Sequence, residues 1–310
     1  MEVRRHRTFS DCEQEYLQCC FTVEENSLVL ARLCCYLNPY HSDKSEKALT
    51  FGCLDVPNNY EVFTMLFEAV IEEAKNLGCS VLIGPMDGST WNTYRIVTSP
   101  QPDPFFLEVE NPPFYKDLFT TYGFETLAKY KSTYADSIEV NWEQNLESYH
   151  HFTDIGVMFV PFDKEKCDKI FSELGVLCNE SFKNNFLFSP IEIDAFVGKM
   201  KLLLSLINPR YTILARHKEK LVGFIFCYQD IYSKNEKTIV VKTLARDPSS
   251  IYKGLGSVLS SIAMKNAKAD VFTKGIHALM VDLNTSTYIS DKFRSKFLRS
   301  YELLSYKIEY

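Results

Sequence analysis

Residues 244–256, LARDPSSIYKGLG, set two glycines, Gly254 and Gly256, between a β-branched run and an amphipathic segment. The run Thr238, Ile239, Val240, Val241 reads as a strand, and Pro248 interrupts it. Leu255, Val258, Leu259, Ile262 and Ala263 then fall at helical spacing. Strand, turn, glycine loop and helix start in that order make a cradle for a pyrophosphate. Glycines let the backbone approach the ligand, and the unpaired N–H groups at a helix start, aided by its dipole, favour an anion. Lys253 adds positive charge beside such phosphates. The stretch is not a Walker loop, because Lys253 precedes Gly254 and no Gly-Lys-Ser/Thr follows. It is not the dinucleotide fingerprint either, which needs a third glycine and an acidic residue about twenty positions on.

The elements needed to position this loop recur in two copies. In the second half, 156–161 reads as a strand, 163–206 as mainly helical, and 211–216 with 221–228 as a hairpin around HKEK. After the glycine loop and its helix come a strand at 278–283, a helix near 290–298 and strands around 301–310. The first half repeats the layout with a hairpin at 28–37 and 48–56, a helix at 60–77 that stops at Gly78, and a strand at 80–83. The ends match locally as well, GFETLAKYK (123–131) against SYELLSYK (300–307). Only Pro57-Asn58-Asn59 separates strand from helix in the first half, so it has no glycine loop. It carries instead a long proline-rich stretch from Gly84 onward, and three prolines at 100, 102 and 104 exclude a simple helix there. Alternation of this kind predicts an α/β (α+β) mixed sheet flanked by helices. We place a first domain at 1–140, a connector at 141–154, polar and aromatic without clear period, and a second domain at 155–310.

Composition narrows the function. The chain has 310 residues, 46% apolar and 24% charged, with 23 Phe and 18 Tyr, which describes a globular protein with aromatic cores. Net charge is −6 and no basic stripe occurs, so nucleic acid is not an expected partner. No apolar run approaches the roughly twenty residues that span a bilayer, and the charged N-terminus lacks a secretory h-region. No membrane association and a cytoplasmic location are the expectation. The ten cysteines show no Cys-x-x-Cys and no Cys/His cluster, and most lie in apolar runs. They are expected to be reduced core residues, with no metal bound.

Leu244, Pro248, Gly254 and Gly256 fall without a gap on a pattern that resembles the acyl-CoA loop of GNAT-type N-acyltransferases, Leu-x-Val-x-Pro-x-x-Arg/Gln-x-x-Gly-x-Gly/Ala. Arg246 stands at the usual apolar position and Ile251 at the usual Arg or Gln. The proline-rich stretch resembles a bacterial family of tandem GNAT-like proteins. Gly84, Pro85, Ser89 and Asn92 fit one of that family's motifs loosely. Asn111, Pro112, Pro113, Tyr115, Leu118, Gly123 and Phe124 fit a second well, and Asp230 with Ile231 matches the end of a family strand. The likeness runs from about residue 28 to the C-terminus. It implies two GNAT-like domains in tandem, the first degenerate and the second binding acetyl-CoA.

By that resemblance the cofactor contacts fall on Thr243, Leu244, Ala245, Arg246, Ile251, Tyr252, Lys253, Gly254, Leu255, Gly256 and Ser257, with Asn284 at the pantetheine arm. Backbone N–H groups of the Thr243–Leu244 strand would polarise the thioester carbonyl. Asp230 is the candidate base for an acceptor amine, or else the cap of its turn. The thiolate acid of the fold is often a Tyr just before the Gly-Phe that ends the last helix. Phe119 and Lys296 occupy that position here, which leaves Tyr288 as a substitute. Glu108 and Glu110 are candidates for a cationic acceptor or a solvated face. Trp91 and Tyr94 either line a pocket or pack a lid, and His150-His151 reads as linker. The expected activity is N-acetyl transfer to an amine of a small molecule or peptide. A catalytically inactive CoA-binding protein and a tRNA-dependent aminoacyl transferase are the alternatives, the last disfavoured by charge.

Overall fold

The computed structural model describes residues 1–42, 46–99, 103–138, 142–281 and 295–310. The first half opens with β1 (Glu2–His6), β2 (Leu17–Glu25), β3 (Leu28–Tyr36) and β4 (Ala48–Asp55), followed by α1 (Tyr60–Asn76) and β5 (Val81–Gly84). A two-residue β6 (Ile96–Val97), α2 (Tyr115–Tyr122) and β7 (Glu125–Ala135) complete it. Then come α3 (Trp142–Asp154), β8 (Val157–Pro161), α4 (Cys167–Phe182), α5 (Ile193–Leu202), β9 (Thr212–His217) and β10 (Lys220–Gln229). β11 (Thr238–Arg246), α6 (Leu255–Ala269), β12 (Lys274–Val281) and β13 (Lys296–Lys307) end the chain. The mixed α/β class read from the sequence is the class observed.

All strands join one sheet in the order β1-β2-β3-β4-β5-β13-β7-β12-β11-β10-β9-β8, with β6 beside β13. The halves exchange their last strands. β13, from the end of the chain, lies antiparallel to β5 of the first half (Leu304 opposite Gly84). β7, from the first half, lies antiparallel to β12 of the second (Gly275 opposite Ala135). The two exchanged strands pair with each other at the centre, Tyr301 opposite Tyr130. The strands form a single sheet that runs through both halves, across the boundary placed at 141–154.

α1 shows why the sequence folds as it does. Asn59 accepts from the N–H groups of Glu61 and Val62, and Phe63, Leu66, Phe67, Val70 and Ala74 bury one face. Phe63, Leu66, Phe67 and Val70 each contribute roughly 1.5–3 kcal/mol, and Gly78, at φ 68°, lets the chain leave the helix. Four elements differ from expectation. Residues 142–154 are helical, not irregular: α3 packs on α6 and β8 with Phe152 as its one buried residue. A helix so polar all round carries little periodic signal. Lys296–Leu298 belong to β13, where a helix was expected. β1 and β2 precede the first strand read from the sequence, and β2 is buried on successive residues, so it lacks alternation. Among the described residues no helix is long and apolar enough to cross a membrane.

Candidate functional site

β11 and β12 run parallel only from Thr238–Lys274 to Val241–His277. Beyond that point each strand turns away from the other, and each does so at an irregularity. On β11 the register to β10 shifts between Phe226 and Cys227, which leaves Lys242 as the extra residue of a β-bulge. On β12 the register to β7 shifts between His277 and Met280, where Leu279 has φ 59°. Leu279 is held there by its N–H on Ser132 Oγ (3.0 Å) and its carbonyl on Arg95 (3.4 Å). The sheet therefore opens like a V. The β12-facing edge of Lys242, Thr243 and Leu244 has no strand partner among the described residues.

At the mouth of the V, β11 runs through Asp247 and a short turn to α6. Asp247 donates its N–H to Val222 O and binds Lys220 (2.7 Å), which fixes the turn. Gly254 precedes α6 at φ 96° with no side-chain cap, and a Cβ built there meets nothing within 4 Å. The first N–H groups of α6 have no intrahelical acceptor by construction. Gly256 and Leu255 are buried, Tyr252 is anchored by His217 (2.8 Å), and Ile251 and Lys253 face solvent. An open V that leads to an uncapped helix start fits a thioester with a pyrophosphate tail.

The first half has the same parts, closed. There Asn59 caps α1 with its own side chain. β4 carries a bulge near Cys53 (φ 46°), and the backbone N–H of Cys53 donates to Asp87 Oδ1 (2.6 Å). Met86 N–H binds Phe51 O (2.6 Å), so the chain after β5 stays against β4 and fills the place where a V would open.

Charged groups gather on the opposite face of the V from α6. Glu108, from the proline-rich loop, is fully buried and pairs with the equally buried Arg299 of β13 (3.1 Å) and with Tyr301. Burial pushes the Glu108 carboxyl up, and the Tyr301 hydroxyl and Arg299 only partly oppose this. The Lys242 ammonium is depressed to about 8, first by burial and then by Arg95, with Glu108 pulling the other way. On the other face, where His277 alternates with Ile276 and Ala278 and so points to the α6 side, burial pushes the imidazole down to about 4. Arg95 itself lies over the rings of Tyr94 (3.9 Å) and Tyr130 (4.3 Å).

The residues singled out from sequence land as follows. Thr243, Leu244, Ala245 and Arg246 line the diverging part of β11, and 251–257 form the turn and helix start. Asp230 is buried, and its Oδ1 accepts from the N–H groups of Phe106 and Tyr232 (3.0 Å each), while Tyr228 donates to Phe106 O (2.6 Å). Asp230 thus ties the proline-rich loop to β10. Trp91 donates to Ser189 O (2.8 Å) and packs among Phe182, Phe188 and Phe196, clamping the same loop to α4 and α5. Glu108 is no solvated loop residue. Asn284 and Tyr288 lie outside the described residues. Lys242, Arg299 and Tyr301 escaped the sequence reading. The one signal was a lysine in the middle of the apolar run TIVVKTLA.

The absence of a metal-ligating cluster was expected from local spacing, and the fold alters that picture: Cys12, Cys20 and Cys34 converge, with sulfurs within 4.8 Å of one another. A separate open cleft of about 830 Å³, lined by residues that include Phe162, Lys166, Pro209 and Arg216, shares no residue with the V.

Solved structures share this architecture. A GCN5-related glucosamine N-acetyltransferase region of a fungal multi-domain β-N-acetylglucosaminidase aligns with 94% of this chain at 13% identity and a TM-score of 0.55. This chain spans 33% of that one. A tandem GNAT protein from the clavulanic acid biosynthesis pathway aligns with 94% at 10% identity and a TM-score of 0.50, over 83% of its own length. A GCN5-related N-acetyltransferase from Anabaena variabilis aligns with 94% at 10% identity and a TM-score of 0.53, over 63% of its length. The fold is that of the GNAT N-acetyltransferases, and the tandem protein among these neighbours shares it. No family model matches the chain, and no curated protein matches it.

Proposed function

We propose that the chain is an acyl-CoA-dependent N-acyltransferase with one working site, at the β11–β12 opening, that uses acetyl-CoA and an amine of a small molecule or peptide. The observation that carries this is the contrast between halves: the second keeps an open V and an uncapped helix start in line, while the first closes both with Asp87 and Asn59. The N–H groups of Gly254, Leu255 and Gly256 would hold the pyrophosphate, with Lys253 beside it. Backbone donors of Thr243 and Leu244 would face the thioester oxygen. Acetyl-CoA supplies a thioester whose C–S bond breaks as the acceptor's C–N bond forms, with CoA leaving as thiolate. Lys242, at the bulge where β11 parts from β12, would take the ammonium proton of the acceptor, its ammonium being depressed to about 8 by burial. Glu108 and Arg299 set the field on the acceptor side.

The test is a thermal-shift titration with acetyl-CoA, followed by thiol release measured over a panel of amines. Acetyl-CoA at about 100 times its Kd should stabilise the chain by roughly 2.7 kcal/mol. No shift would remove the acyl-CoA site altogether. A shift without thiol release from any amine would favour the alternative, an inactive CoA-binding protein, for which the Phe106 loop tied down by Asp230 and Tyr228 is the supporting feature.

A further inference from the structure

The N-terminal loop, β2, β3 and β4 bring four cysteines together on the face of the first half away from α1. Cys20 and Cys34 stand opposite each other on β2 and β3, with sulfurs 3.1 Å apart. Cys12, in the loop between β1 and β2, places its sulfur against both, within 4.8 Å. Cys53, at the β4 bulge, packs against the same group and interacts with Cys34. Cys12 is 8% exposed and Cys20 and Cys34 are wholly buried. Tetrahedral zinc thiolates have Zn–S near 2.3 Å, which sets sulfurs about 3.8 Å apart. The Cys20 and Cys34 sulfurs are closer than that and the Cys12 sulfur lies within 4.8 Å of both, so small side-chain rotations bring three sulfurs onto one ion.

We propose that Cys12, Cys20 and Cys34, with Cys53 at the fourth position, form a structural Zn²⁺ site. Four sulfurs and no oxygen donor select a soft, tetrahedral ion. Each thiol gives its proton to solvent as it ligates, and no oxidant is needed. The surroundings suit the charge that results. Gln14 directs its Nε2–H at Cys12 Sγ (3.3 Å), an outer hydrogen bond that orients a thiolate, and the Tyr36 hydroxyl meets Cys53 Sγ (3.4 Å). The ligands sit at positions 12, 20, 34 and 53 with no local motif, because strand pairing rather than sequence spacing assembles them. The ion would tie the loop at 7–16, which the pairs Asp11–Arg32 (2.8 Å) and Glu13–Lys199 (2.9 Å) already hold at its surface, to three strands from the inside. It would also fix the Cys53 bulge whose N–H is held by Asp87.

The test uses the full chain, purified under reducing conditions, with metal content read by elemental mass spectrometry and Co²⁺ exchanged in as an optical probe. One zinc per chain is expected, with thiolate-to-cobalt charge-transfer bands and tetrahedral d–d absorption in the cobalt form. Cys12→Ser, Cys20→Ser and Cys34→Ser should each lose the ion, and Cys53→Ser should weaken it. Cys178→Ser, a buried cysteine on α4, should keep it and so separates ligation from general damage. If a ligand variant fails to fold, wild-type protein stripped by a chelator and refilled with Zn²⁺ still reports. Protease resistance of residues 7–16 should fall on stripping and return on refilling. Zinc content unaffected by the cluster variants would overturn the proposal. So would wild-type protein that takes up no Zn²⁺ while fully reduced, or a Cys20–Cys34 disulfide that persists in it.

Discussion

Asn59 and Gly254 stand at the same point of the two halves, immediately before the helix that follows the hairpin, and treat its N-terminus in opposite ways. The Asn59 carboxamide accepts from two helix N–H groups at 3.0 and 3.2 Å, while Gly254 has no side chain to offer and leaves its helix uncapped. One half spends its helix start on itself; the other keeps it for a ligand.

Gly254→Asp tests this with effects of opposite sign. Asp enters the left-handed region more readily than most residues, and its charge at the start of α6 favours the helix by about 0.3–1 kcal/mol. The same charge repels a pyrophosphate. The expected outcome is a melting temperature near wild type in the absence of ligand, with the acetyl-CoA thermal shift lost. A retained shift would reduce the glycine loop to a turn.

Proton transfer by Lys242 should appear in the pH profile. Wild-type turnover should rise with pH through about 8 as the lysine becomes neutral, and Lys242→Met should fall roughly 10²–10⁴-fold and lose that inflection. Asp230→Asn, which keeps an acceptor for Phe106 and Tyr232, should leave the profile in place. A fall in that variant, rescued at high pH, would move the base to Asp230. Stability carries a matching signature. The folded state holds Lys242 below its ordinary value, so between about 8 and 10.5 the unfolded chain binds the extra proton and stability rises with pH. Below 8 the full cost is present, up to about 3 kcal/mol before solvent screening. Lys242→Met should therefore be more stable than wild type at pH 7 and show no such rise.

Glu108 and Arg299 should behave as a unit. Removing one partner of a buried pair strands the other and costs about 3–5 kcal/mol. Glu108→Ala and Arg299→Met should each lose about that much in denaturant unfolding, and the double variant should recover a large part. Additive losses would show that the two side chains do not depend on each other.

Much of the framework was legible in residue order. The β-branched run before Pro248, the glycine pair and the periodic stripe of α6 are local signals, and each marks its element within a few residues. What escaped is what only pairing creates. The destination of β13 is invisible in its sequence, because an alternating strand reads alike whichever neighbour it joins. Glu108 reads as a loop acid until Arg299, far along the chain, is brought against it. Lys242 was overlooked because a lone lysine in a strand looks like an edge or surface residue. The bulge that turns it inward depends on the register with β10.

The exchange of β7 and β13 also bears on how the chain is made. On the ribosome, β5 emerges early with one edge bare, and β7 follows with both of its neighbours still unsynthesised. At about 5–20 residues per second, that state lasts roughly ten to thirty seconds until β13 appears. Exposed strand edges are templates for unwanted pairing. The nascent first half therefore waits on β13 to close. A chain cut short before β13 would be not half a working protein but a sheet with two open edges.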